Sequence, residues 1–335
     1  MSKDVISEAM EARPRLGPCA DSRSIAFSVF NTEIALTAYG EDRAALDEAL
    51  ALCRDRCVLF ERLLSRTRAD SDIARIRSGA PHAVRVAPET ADVIRVAQRY
   101  CERSRGLFDI TMGSVTSLWD FHAGVVPSKL SIARALEHVD YRKIHVCDLP
   151  DGSHAVRLSD PESSLDVGGI AKGYVADDLA ALLRERAIDR FALNLGGNVM
   201  LAGGDLCDPS DLRPWRVGII DPFRPDAYRA VVEIESGSVA TSGAHERRFT
   251  RGGVSYHHIL SPEDGMPART DVASVSVVAP RSVDCDGYST TLFMLGVEGG
   301  LAYAERTEGI DAIVIDDRGG VQWTSGLDGR VAPVG

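Results

Sequence analysis

Two adjacent histidines stand in the run His257-His258-Ile259-Leu260-Ser261-Pro262, which leads on to Gly265 and Pro267. An imidazole with an ordinary pKa near ~6.5 can take the proton from an attacking hydroxyl. Neighbours on a strand face opposite sides, so only one of the pair can serve a given cleft. Taken alone, each also reads as a surface or structural histidine. Further along, Asp286-Gly287-Tyr288-Ser289-Thr290-Thr291 sets a carboxylate and a hydroxyl four residues apart, on one side of a helical turn. With waters and phosphate oxygens they make a hard-oxygen set suited to Mg2+. An N-capping aspartate with a threonine in the first turn is the plainer reading of those residues.

A third segment is Asp166-Val167-Gly168-Gly169-Ile170-Ala171-Lys172-Gly173-Tyr174, followed by Asp177. Paired glycines let a backbone come close to a phosphate, and the helix that follows aims its first amides outward. Lys172 adds a cation in the first turn, and Asp166 can accept from a ligand hydroxyl or amide. The spacing is neither that of a P-loop nor that of a Rossmann turn, and a Gly-rich turn with a solvated lysine accounts for it as well. Asn194-Leu195-Gly196-Gly197-Asn198 and Thr241-Ser242-Gly243 are two more small polar loops.

The elements that must hold these loops are mixed. The stretch from Ile25 to Tyr39 is β-branched and aromatic and predicts a strand or hairpin. Leu46, Leu50, Cys53, Cys57, Phe60 and Leu64 recur at helical spacing. Pro88 and Glu89 open another helix, with Gly106 beyond its end in position for a left-handed cap. A helix from about Gly169 to Ala187 carries Val175, Leu179 and Leu182 on one face. Short β-type runs follow: FALNL, WRVGII, AVVEIES, VASVSVV and DAIVID. A last helix is expected to follow Asp286, with a break at Gly299–Gly300. The fold class is α+β with interleaved elements: residues 1–22 form a flexible lead-in and residues 23–335 a single domain.

Composition narrows the function. With 49 acidic against 38 basic side chains the formal net charge is −11, which argues against nucleic acid or an anionic membrane as the main partner. No run approaches the ~18 apolar residues of a membrane span, and Met1–Asp21 lacks an apolar signal core. Seven cysteines lack metal-ligand spacing; Cys53 and Cys57 read as small core residues, in keeping with a reducing cytoplasm.

The order and spacing of these segments resemble the ApbE family over roughly residues 25 to 320. The resemblance is carried by Arg105-Gly106-Leu107-Phe108-Asp109-Ile110-Thr111-Met112-Gly113 running on to Leu118-Trp119-Asp120-Phe121, then DVGGIAKGY, NLGGN, SVATSG, the HHILSP loop and CDGYSTTLFMLG. It implies a T-fold-like arrangement with the active site in a cleft between interleaved subdomains. It also implies Mg2+-dependent transfer of FMN from FAD to a Ser or Thr hydroxyl of an acceptor protein, releasing AMP. Mn2+ is the other hard ion such a set accepts. Hydrolysis of FAD to FMN and AMP, or flavin binding without turnover, are the alternatives. By resemblance Phe30, Leu107, Phe108, Asp109, Asp166, Lys172 and Leu260 contact FAD. Gly169 (through its carbonyl), Asp286, Ser289 and Thr290 hold the metal, and His258, not His257, is the base. Two positions depart from the pattern. Asn31 stands where glycine is usual, and Thr67 where an aromatic side chain is usual. Partners follow as FAD and an acceptor flavoprotein bearing a Ser/Thr modification motif, with no nucleic acid and no membrane insertion.

Overall fold

Alternating side chains sort the β-rich half of the chain into two buried layers. In the computed structural model, which describes residues 21–208 and 211–334 (side chains of 205–208, 211 and 212 excepted), eight strands make one sheet. In spatial order these are β1 (Ser22–Val29), β2 (Thr32–Tyr39), β3 (Phe191–Leu195), β4 (Asn198–Ala202), β5 (Gly237–Gly243), β8 (Val272–Ala279), β9 (Asp311–Asp316) and β10 (Val321–Trp323). Every neighbouring pair is antiparallel. Spatial order follows chain order throughout, with strands of other sheets inserted between its members; among these, the hairpin of β6 (Arg248–Arg251) and β7 (Val254–His257) leaves the sheet between β5 and β8. The period of two divides the strands cleanly: Ile313 and Ile315 of β9 pack with Trp215, Ile219 and Val232, whereas Ala312 and Val314 face the helices. The first of these layers is closed by a three-stranded sheet of Trp215–Asp221, Arg224–Ile234 and Val331–Pro333.

The helices are α1 (Arg43–Leu64), α2 (Asp72–Gly79), α3 (Pro88–Arg103), α4 (Gly113–Thr116), α5 (Lys129–Leu136) and α6 (Gly168–Glu185), all between β2 and β3. α7 (Ser282–Met294) and α8 (Gly296–Glu305) lie between β8 and β9. The periodic residues of α1, from Leu46 to Leu64, are all buried, and Cys53 and Cys57 are core residues as expected. Asp42 caps α1 by accepting from Ala44 and Ala45 N–H. Arg56 then clamps three helices, with two bonds to Asp178 of α6 (2.9 and 2.7 Å) and one to Glu89 of α3 (3.0 Å). Arg105 and Gly106 end α3 with positive φ, which is the left-handed stop that Gly106 suggested.

Several expectations need correction. β1 begins at Ser22, inside the expected lead-in, whose first twenty residues, with Cys19, lie outside the described residues. The last long helix does not follow Asp286; α7 starts at Ser282, so Asp286 sits a full turn inside it and is no N-cap. The break falls at Gly296 (φ 77°), and α8 runs straight through Gly299 and Gly300. Asn31 adopts φ 56° despite having a side chain, and so does Phe30 before it, in the two-residue turn joining β1 to β2. Asparagine tolerates that region well, whereas an aromatic residue there carries strain of about 1 kcal/mol or more.

Candidate active site

The site grows from a crossing of two helices that only glycine permits. A Cβ on Gly173 of α6 would lie 2.5 Å from the Ser282 carbonyl oxygen at the start of α7. With the backbones this close, Gly173 N–H donates to Asp286 Oδ2 at 2.7 Å, and Asn198 Nδ2 at the start of β4 donates to Asp286 Oδ1 at 2.9 Å. One turn along α6, Asp177 accepts from Ser282 N–H (2.7 Å) and Val283 N–H (3.1 Å), so α7 is capped by another helix. Burial holds the Asp177 carboxyl above its ordinary range, against the pull of those two amides. Ser289, buried beside Asp286, accepts from Ser242 of β5 at 2.8 Å and donates to the Asp286 carbonyl at 3.1 Å. Thr290 is half-buried on the same turn.

At the N-terminal end of α6, Asp166 accepts from Gly168 N–H (3.0 Å) and from Thr116 Oγ1 (3.1 Å). Arg66 also donates to Thr116 (3.2 Å) and stands 3.6 Å from the Asp166 carboxylate. The ring of Phe108 packs 3.1 Å from where a Gly169 Cβ would lie, so that glycine makes room for a side chain of its own protein. Asp109 is buried with both oxygens engaged: Thr111 N–H and hydroxyl on one (2.7 and 2.6 Å), Tyr141 N–H on the other (3.0 Å). Its side chain therefore braces the loop that presents Leu107 and Phe108. Lys172, half-buried, forms no ion pair among the described residues.

The two histidines part company. His257 ends β7, packs edge-on against Phe293 and pairs with the Ala268 carbonyl at 3.2 Å, so its ring is already engaged. His258 lies one residue beyond the strand, with its N–H on the Arg247 carbonyl (3.1 Å). Burial first, then the charge of Arg247, lowers its pKa to about 4; His257 and Lys172 act in the same direction. The imidazole is therefore neutral at pH 7 and able to accept a proton. Its Nδ1 is buried with no hydrogen-bond partner, and no carboxylate orients the ring, among the described residues. Glu246 lies within electrostatic reach of Lys172, Arg247 and Asp286, which brings the α6 end, the α7 turn and the segment before β6 into one neighbourhood. Leu260 is buried in the loop after His258, which closes through Ser261 N–H to the Met266 carbonyl (2.8 Å) and Trp119 Nε1 to the Gly265 carbonyl (3.2 Å).

Two recesses flank this arrangement. One of about 390 Å³ is bordered by Arg105, Asp109, Tyr141 and Pro262, the other, of about 240 Å³, by Arg66, Thr67, Arg77 and Trp119. Phe30 sits at the β1–β2 hairpin tip, where its N–H donates to Glu61 (3.0 Å); Thr32 of the same hairpin lies against Gly196, in the turn that leads to Asn198.

The ApbE family model matches residues 30–314. The chain belongs to the ApbE family. Among its relatives, a protein of Treponema pallidum (strain Nichols) named FAD:protein FMN transferase is 37% identical over 87% of this chain and 82% of its own length. One from Klebsiella pneumoniae (strain 342) with the same name is 32% identical over 88% of this chain and 90% of its own. The crystal structure of the ApbE protein from Thermotoga maritima superposes with a TM-score of 0.81 at 26% identity, covering 92% of this chain and 99% of that one. The α+β architecture of this ApbE-family chain is thus that of its structural relatives.

Three contributors were not singled out from the sequence. Asn198 appeared only as the end of a glycine turn, Ser242 as part of a small polar loop, and Asp177 as a residue trailing the Gly-rich run. Each makes its contact across 47 to 105 residues of chain or more, and local spacing carries no sign of that. The donor set also bears on a metal. Asp286 and Thr290 offer hard oxygens, and the N–H that regular helix geometry pairs with the Gly169 carbonyl is engaged by Asp286. No group of three or more His, Cys, Asp or Glu side chains converges among the described residues. A single protein carboxylate with neutral oxygens fits Mg2+, which commonly completes its shell with water and substrate phosphates.

Proposed function

We propose that this ApbE-family protein transfers FMN from FAD to a Ser or Thr hydroxyl of an acceptor protein, releasing AMP, and that it needs Mg2+ to do so. The observation that carries the reading is the α6–α7 crossing itself, where Gly173 N–H and Asn198 hold Asp286 at the head of an oxygen-donor turn that runs to Thr290, with Lys172 next to Gly173. The relatives' shared name supports the overall reaction. Asp286, Ser289, Thr290 and the Gly169 carbonyl would hold the metal, which when bound neutralises phosphate charge and orients the phosphoryl group.

The protein's own residues account for the rest. His258 takes the proton of the acceptor hydroxyl as its oxygen bonds to the FMN-side phosphorus. The anhydride P–O bond breaks and its electron pair leaves with AMP. Lys172 lies where it can balance developing negative charge. Phe108, Leu107 and Leu260 supply apolar surface, Asp166 can accept from the ligand, and Phe30 would contact it from the hairpin tip. Residues 23–335 act as one catalytic domain, since β1 and β10, from the two ends of the chain, share a single sheet.

The decisive test incubates the protein with FAD and Mg2+, with and without an acceptor bearing a Ser/Thr modification motif, and reads products by mass spectrometry. A covalent FMN mass on the acceptor with matching AMP supports the proposal. AMP and free FMN without labelling would replace it with hydrolysis.

A further inference from the structure

The β6–β7 hairpin is hydrogen-bonded as a sheet of two strands and joins no other strand among the described residues. It is nevertheless firmly seated. Phe249 and Tyr256 stack at 5.3 Å, Phe249 meets Phe121 at 5.8 Å, and Tyr256 meets Trp119 at 5.9 Å. Val254 and Ser255 of β7 are exposed, as are Arg248, Thr250 and Arg251 of β6. Such a pair has outer N–H and C=O groups with no ladder partner, which is a template for one more strand.

Two further features say what kind of strand. First, β7 runs directly into His258, one residue past its end. Four residues of strand span about 13 Å, enough to grip an extended segment and deliver its next residue to the imidazole. Second, Arg247, Arg248 and Arg251 cluster on this hairpin, and none has a carboxylate at ion-pair distance among the described residues; Arg251 reaches only the Gly124 carbonyl, at 3.4 Å. Arg248 lies on the Thr250 face of β6 and Arg251 on the Phe249 face, so in a chain of net charge −11 the hairpin is cationic on both faces, between which the side chains of an added strand would also alternate.

We propose that the hairpin edge receives an extended, acidic, hydroxyl-bearing segment of the acceptor protein as a third strand, setting its Ser or Thr beside His258. The inference rests on the transferase reading for the fate of that hydroxyl, but binding can be measured without turnover. A fluorescein-labelled octapeptide alternating aspartate and threonine is titrated into the full-length, FAD-loaded protein and followed by anisotropy. It should bind about fivefold more tightly than its lysine-threonine counterpart, with the preference shrinking as salt rises. Arg248→Glu with Arg251→Glu should remove the preference while FAD affinity stays unchanged.

Strand addition has a signature that needs no protein variant. Single N-methylation along the peptide should weaken binding about fivefold at alternate positions and spare those between, because a strand aims every second N–H at its neighbour. Equal affinity for the acidic and basic peptides, no detectable binding, or N-methyl effects without alternation would each overturn the proposal. FMN transfer to the peptide, read on the same samples after Mg2+ is added, reports separately on the reaction. Alternating binding without any transfer would leave the docking edge standing, and the reaction would then be decided by the motif-bearing acceptor alone.

Discussion

At the scale of single residues, Asp286 has structural work that is separable from any metal. Its two oxygens accept from Gly173 and Asn198, so Asp286→Ala strands two buried donors, at about 1–3 kcal/mol each. A clear fall in Tm is therefore expected even without FAD or Mg2+, together with loss of the response of turnover to Mg2+. An unchanged Tm in metal-free buffer would show that those two bonds contribute nothing. His258→Ala should behave differently, with FAD binding nearly intact and transfer down about 10²- to 10⁴-fold. Because burial and Arg247 lower the imidazole pKa to about 4, the proposed base is neutral above that pH and is lost as pH falls through it. The acid limb of kcat/KM should lie near 4, well below that of a free histidine, and move upward in Arg247→Ala. A limb that stays fixed in that variant would remove Arg247, though not burial, from the explanation.

At the scale of elements, Gly173→Ala is the sharpest probe. Its methyl would meet backbone at 2.5 Å, with no flexible side chain to yield, so α6 and α7 must part. About 1–3 kcal/mol of stability should go with it, along with the Asp286 bond, and thermal unfolding beside turnover would show both. Much of this level was legible in the residue pattern: α1, α3 and α6 follow from apolar spacing within a residue or two at most ends, and the β-type runs became strands. What escaped was non-local. The start of α7 is fixed by Asp177 on α6, so nothing near Ser282 announces it. The choice between His257 and His258 came from resemblance, and packing gives an independent reason to set His257 aside, because Phe293 and Ala268 already hold it. The glycines were read as space for phosphate, whereas at Gly169 and Gly173 the space is filled by Phe108 and by α7.

For the molecule as a whole, the two sheets share one buried layer, and that layer depends on the strand Val331–Pro333 pairing with residues 230–232. Truncation after residue 330 should expose Ala230 and Val232 at a sheet edge and lower Tm. FAD affinity should change little, since the helices and the α6–α7 crossing lie on the other face. Equal losses of both would mean that the faces are mechanically linked. No described helix is long and apolar enough to cross a membrane, in line with the absence of an apolar run in the sequence.

The hairpin that leaves the sheet does so between β5 and β8, which are themselves direct neighbours with six residues each in register. Residues 244–271 can therefore vary in length or be exchanged as a cassette while the strands on either side keep their pairing. That cassette carries His258, Leu260 and the hairpin's arginines, whereas Asp286 and Asp166 belong to the helical frame. On the proposed reading, recognition of the recipient is concentrated in this one stretch, while the dinucleotide is handled mostly by the frame, with Leu260 the contact they share. A chimera that takes 244–271 from an ApbE relative should keep its grip on FAD and acquire the relative's choice of target; a chimera that folds but keeps the original choice would place target selection in the frame instead.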